Sequence, residues 1–299
     1  MTRALLTAAL VAGAAGAQDL QPTFRARTEL VRVDVLVTDG GAPVPGLTAA
    51  DFELRDNGVG QRVTAAGAVE AVQLGVVLDV SGSMTGERLA IARKATTDLL
   101  GRLTRGDRFA VVAFGDQVGR VTGPGASVAD ATTALDRVRA GGSTALLDGT
   151  YAGILEADGG PGPKLLVVMT DGRNNASWLQ AGPVIDAARR HETVIYPVAV
   201  DIDDEWNRTV SARLRTSDAV ALLEAMADQT GGRSVEARWD RSLGERFQQI
   251  LREYRQRYIL TFTPEGVPTG DGWHALEVKV KRAGARVRAR TRYWAGKES

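Results

Sequence analysis

The chain contains no cysteine in 299 residues. That excludes disulfides and thiolate-bound metals, so stability must come from packing or from a hard metal ion. Histidine is nearly as scarce, with only His191 and His274. An excess of either charge is missing too: 37 Lys+Arg stand against 36 Asp+Glu, a formal charge of +1. Bulk electrostatics therefore gives no pointer to nucleic acid, and any steering must be local. The last absence is an apolar run of the ~20 residues that a membrane span needs.

What is present begins with "MTRALLTAALVAGAAGAQDL". A cation at Arg3, a short apolar stretch over residues 4–11 and the small residues Ala15-Gly16-Ala17 have the layout of a signal peptide, occupying residues 1–17 and cleaved between Ala17 and Gln18. The short stretch argues against a membrane anchor, and with no lipid-accepting cysteine behind it the layout argues against a lipoprotein. The expected location is outside the cytoplasm, in the periplasm or beyond the cell.

In the next segment Val31, Val33, Val35 and Val37 alternate onto one face, then the chain breaks in a Gly/Pro cluster. This is the pattern of a half-buried strand. Phe52 and Leu54 alternate again before "DNG", a hairpin signal, with a return strand expected from Val63. From Leu74 the rhythm changes. Buried-type strands over 74–80, 108–114, 164–169 and 193–200 alternate with helical spacing over 88–103, 128–138, 146–155, 183–191 and 219–229. Such alternation predicts an α/β fold, a doubly wound and mostly parallel sheet that carries ligands at the carboxyl ends of its strands. Residues 243–258 have a helical period, after which period two returns through "YILTFTP", "HALEVKVKRAG" and "ARVRARTRYW". The last segment reads as one strand with Arg286, Arg288, Arg290 and Arg292 on one side, either a solvated face or a patch for an acidic surface.

Oxygen-bearing side chains fall where an open sheet would gather them. Asp79, Ser81 and Ser83 stand in "DVSGSM" after an apolar run, Thr144 in "GGST", and Asp171 in "VVMTDG" after another run. Hydroxyls and carboxylates with no Cys or His nearby suit a hard cation: Mg²⁺ foremost, with Mn²⁺ and Ca²⁺ as alternatives. The acidic stretch 201–205 offers either a second cation site or a solvated loop.

These elements resemble the D-x-S-x-S, Thr and Asp elements of the metal-ion-dependent adhesion site (MIDAS) in von Willebrand factor type A domains, in order and spacing, across about residues 72–237. The flanks are similar to the ends of a bacterial secreted family related to that domain. The resemblance implies a Rossmann-like domain over 72–237 and β segments over 24–71 and 259–295. Residues 238–258 would be a connecting helix. Because neither set of strands can bury its apolar face alone, the two are expected to pair into one β-sandwich-like module. The resemblance also implies that Ser81, Ser83 and Thr144 supply hydroxyl oxygens to a divalent cation. Asp79 and Asp171 would accept hydrogen bonds from metal-bound waters or from those hydroxyls. An Asp or Glu carboxylate of a protein or matrix partner would complete the shell.

Enzyme readings fit less well. "DVSGSM" is not G-x-S-x-G, and the only histidines, His191 at a helix end and His274 in an expected β segment, offer no persuasive base. Asp79 as a phosphoryl-transfer nucleophile lacks an evident general acid and an evident lysine partner. "GGST" has no lysine behind its glycines and is no P-loop. A metal-dependent binding module therefore leads, ahead of a structural or assembly subunit whose ion only stabilises the fold.

Overall fold

The computed structural model describes residues 30–160, 162–171, 173–201, 210–267 and 272–296. The expected signal peptide, and the acidic stretch beyond Asp201, lie outside the described residues.

β1 (Val31–Asp39) buries Val31, Val33, Val35 and Val37, as alternation requires. β2 (Ala42–Pro43) folds back on its end. β3 (Phe52–Asp56) and β4 (Val59–Gln61) form a hairpin whose turn residues Asn57 and Gly58 have φ of 47° and 81°. Two residues of positive φ reverse the chain at once, so the return strand starts at Val59 rather than at the expected Val63. β5 (Val63–Ala68) leaves that hairpin for another sheet.

The central part runs β6 (Gln73–Asp79), α1 (Glu87–Leu100), β7 (Arg108–Phe114), β8 (Val118–Thr122), α2 (Val128–Arg137) and α3 (Leu146–Ala157). It continues through β9 (Lys164–Thr170), α4 (Ala181–Arg190), β10 (Thr193–Val200), α5 (Val210–Thr230), β11 (Val235–Ala237) and α6 (Ser242–Tyr254). The sheet order is β11-β10-β9-β6-β7-β8, parallel except for the β7–β8 pair. This is the expected doubly wound, mostly parallel sheet. Leu74, Val76 and Leu78 of β6 join one core with Leu89, Leu99, Leu135, Phe247 and Ile250 of α1, α2 and α6. Val77 points into the opposite core, with Ile154, Val184 and Met226 of α3, α4 and α5. Burial on both faces explains why the parallel strands read as continuous apolar runs.

The chain then returns through β12 (Tyr258–Phe262), β13 (Gly272–Val280), β14 (Arg286–Arg288) and β15 (Arg292–Ala295). The last helix ends at Tyr254, short of the expected 258, because Tyr258 is taken up as a strand residue opposite Val35. One sheet has the order β14-β1-β12-β5 and the other β15-β13-β3-β4. They share a core that includes Val33, Leu54, Leu260, Phe262 and Tyr293. The Phe52 ring meets Tyr258 at 5.6 Å and Phe262 meets Tyr293 at 6.1 Å, both edge to face. Both chain ends thus build one β-sandwich-like module flanking the α/β domain.

The arginine-rich end differs from the expected single strand. β14 pairs with β1 and β15 with β13, so the chain changes sheets between them. That switch turns Arg290 inward to 8% exposure. It donates to Glu192 Oε1 at 2.9 Å and to the Arg189 carbonyl at 3.1 Å. Arg288 pairs with Asp228 at 2.8 Å.

Charged groups fill the seam between module and domain. Arg257, only 1% exposed, donates to Tyr196 Oη at 3.2 Å and to the carbonyls of Gly231, Asp34 and Arg288 at 2.8, 3.1 and 3.3 Å. Glu192 also takes Arg32 at 2.9 Å. Asp34 Oδ1 is sealed from solvent with no hydrogen-bond partner. Burial raises this carboxyl's pKa to about 6 against the pull of Arg257, while Glu192 adds to the rise and Arg290 and Arg32 oppose it. The folded protein therefore holds this proton more tightly than the unfolded chain does. The resulting stability is full below the unfolded value near 3.8 and is lost as pH rises through 6. Asp34→Asn should match the wild type in urea unfolding at pH 4 and exceed it at pH 7.5 by about 2–3 kcal/mol, at ~1.4 kcal/mol per pKa unit. Equal stability at pH 7.5 would show that the buried charge costs nothing.

Candidate metal site

The site forms at the carboxyl edge of the central strands, where the sheet order reverses direction around β6. Asp79 ends β6 and is fully buried. Its Oδ1 accepts the Ser81 N–H at 2.9 Å and its Oδ2 accepts the Thr170 hydroxyl, from the end of β9, at 2.9 Å. Ser81, 2% exposed, lies with its Oγ 3.2 Å from Ser83 Oγ, and Ser83 donates to Asp171 Oδ2 at 2.6 Å. Asp79, Ser81, Ser83 and Asp171 thus form one hydrogen-bonded group from two adjacent strand ends.

The loop that carries Thr144 is fastened beside this group through its backbone. The Gly82 N–H donates to the Gly142 carbonyl at 2.9 Å and the Gly141 N–H to the Val80 carbonyl at 2.8 Å. Those bonds lay the loop before α3 against the serine loop and leave Thr144 2% exposed. Gly142 has φ +76°, and a Cβ there would stand 2.5 Å from the Asp116 carboxyl carbon. Only glycine meets both conditions.

Several supporting residues escaped the sequence reading. Asn175 Oδ1 accepts the Thr144 N–H at 2.8 Å, while the N–H groups of Asn175 and Ala176 donate to the Thr144 carbonyl at 3.0 and 3.1 Å. Asp148 in the first turn of α3 accepts the N–H groups of Trp178 and Leu179 at 3.0 and 2.9 Å. The available signal was the pair Asn174-Asn175 just past "TDG", since Asn side chains readily bond to loop backbone.

Electrostatics decides what this arrangement suits. Burial, and after it the Asp171 charge, push the Asp79 carboxyl up to about 6, against hydrogen bonds from Ser81 and Thr170. Arg173 is half exposed and 4.0 Å from Asp171. Two carboxylates and two hydroxyls in mutual contact have a surplus of oxygen lone pairs. Among the described residues no three His, Cys, Asp or Glu side chains gather as a metal cluster, so cation binding here depends on hydroxyls. That donor set fits a small hard divalent ion, which prefers oxygen and retains waters.

A doubly wound sheet with a hydroxyl and carboxylate constellation at its carboxyl edge is, as a class, a ligand-binding α/β domain. The family model of the von Willebrand factor type A domain matches residues 73–238, and the chain belongs to that family. An uncharacterized protein of Synechocystis sp. is 31% identical over 157 residues, 49% of this chain and 36% of the relative. The chain therefore spans little more than a third of the length of that curated relative. Among solved structures, a von Willebrand factor type A protein of Catenulispora acidiphila superposes with a TM-score of 0.51 at 16% identity, over 91% of this chain and 74% of that one. Proximal thread matrix protein 1 of the mussel byssus, solved with a zinc-occupied MIDAS motif, reaches 0.50 at 21% identity over 64% and 47%. At these identities the likeness is one of fold.

Proposed function

We propose that the chain is an exported, non-enzymatic binding module that recognises a carboxylate of a protein or matrix partner through a divalent cation. Ser81, Ser83 and Thr144 would hold the ion, foremost Mg²⁺, with Asp79 and Asp171 behind them. The observation that carries this reading is the unbroken contact from Ser81 through Ser83 to Asp171 at the edge of two buried strands. When bound, the ion supplies a positive charge that neutral hydroxyls leave incompletely quenched, and an acidic side chain can complete its shell. The histidines support binding over hydrolysis. His191 precedes β10 at the amino edge of the central sheet, where its carbonyl accepts Lys164 Nζ from the start of β9 at 2.9 Å, and His274 is buried in β13 of the sandwich, so neither stands at the carboxyl edge as a base for Ser81 or Ser83.

One observation favours a second reading, in which the ion only stabilises the fold. Asp79, Ser81 and Thr144 are all nearly inaccessible. Isothermal titration with Mg²⁺ and Mn²⁺ tests what the readings share, and absence of binding would end both. Partner binding abolished by EDTA and restored by Mg²⁺ selects the first; binding indifferent to EDTA selects the second.

Export rests on residues 1–17. Mass spectrometry of the exported protein should find Gln18 as its first residue. An intact Met1 would overturn this assignment.

A further inference from the structure

The same edge carries a feature that metal ligation does not use. Trp178 is 94% exposed, against 56% for Leu30, the next most exposed large hydrophobic among the described residues. Indole side chains bury large areas when they find a partner and are enriched among residues that dominate binding. The backbone beneath Trp178 is clamped. Its own N–H and that of Leu179 are held by Asp148, the Leu147 N–H donates to Ser177 Oγ at 3.0 Å, and Ser177 donates to Asn174 Oδ1 at 2.5 Å. Asn175 and Ala176 are fastened to Thr144 as described above. The indole is therefore displayed from a fixed position beside Thr144.

We infer that Trp178 is the second anchor of the docking surface, and that the partner segment bears an acidic residue with a large apolar or aromatic side chain within three residues of it. The inference rests on the metal reading above. The Ala176 N–H is bonded to the Thr144 carbonyl, and Ala176 is two residues from Trp178, a separation of at most ~7 Å along the chain. An extended peptide advances ~3.3 Å per residue, so a side chain two or three positions from the acid spans that gap. A basic neighbour in the partner is disfavoured, because Arg173 already stands half exposed beside Asp171 at this edge.

The test uses the full chain, ¹⁵N-labelled, with saturating Mg²⁺. The probes are a blocked heptapeptide, Gly₃-Asp-Gly₃, and six versions with one glycine replaced by Phe. At least one Phe position should tighten binding threefold or more and shift the Trp178 indole N–H resonance. Trp178→Ala should erase that gain while leaving Mg²⁺ affinity unchanged. A series flat to within threefold, or a gain that survives Trp178→Ala, overturns the inference and leaves the metal reading standing. Failure of Mg²⁺ itself to bind removes both. Maltoheptaose moving the indole resonance equally in EDTA and in Mg²⁺ would reassign Trp178 to glycan binding and also overturn the inference.

Discussion

Replacing Asp79 and Ser81 together by alanine should abolish Mg²⁺ binding in isothermal titration, and with it any stabilisation by the ion. At a hundredfold over its dissociation constant, an ion that binds only the native state adds about 2.7 kcal/mol. For a chain of this size that corresponds to roughly 5–10 °C in melting temperature, at 2–4 °C per kcal/mol. EDTA should lower the wild-type melting temperature by that amount and leave the double variant unmoved. Ser83→Ala and Thr144→Ala should weaken binding without unfolding the chain, since each removes one hydroxyl from a group otherwise left in place. Asp171→Ala should also cost some metal-free stability, because the Ser83 hydroxyl loses its 2.6 Å acceptor. Wild-type affinity in the double variant would refute the site.

The largest loss of stability is expected at the seam. Arg257→Ala removes a buried guanidinium that reaches β1, the end of α5, β14 and Tyr196 at once, leaving three carbonyls short of a donor. Breaking a buried charged network of this kind costs about 3–5 kcal/mol. Urea unfolding should show that loss, and the β module and α/β domain should separate into two transitions as their shared fastening goes. A change below about 1 kcal/mol, the worth of a surface ion pair, would mean that apolar packing alone holds the two together.

The central strands were legible because burial on both faces removes every polar interruption. The apolar runs at 108–114 and 193–200 coincide with β7 and β10. The candidate residues were legible for a related reason: an acid or hydroxyl directly after such a run stands at a strand end. What supports them was not. Asn175 bonds across 31 residues to Thr144, and Asp148 across 30 to Trp178, and no local periodicity reports a contact between two loops. Arg290 misled for the opposite reason. Alternating arginines have the pattern of a solvated strand, and only the change of sheet between β14 and β15 turns one of them into the seam. Helix ends were imprecise because the amphipathic spacing of α6 runs on through 255–258 although the backbone has already turned.

The pairing of both chain ends in one module has a mechanical consequence. Between Leu30 and Gly296 the shortest load-bearing route runs from β1 across its ladder with β14 and along residues 289–291 into β15, without entering the central sheet. Tension applied at those two points is borne by the antiparallel ladders of the sandwich. The α/β domain, looped out between β5 and β12, hangs beside the line of force. A pull exerted at the Ser83–Asp171 edge instead crosses the whole domain and reaches the sandwich through the seam, where Arg257 and Arg290 would feel it first.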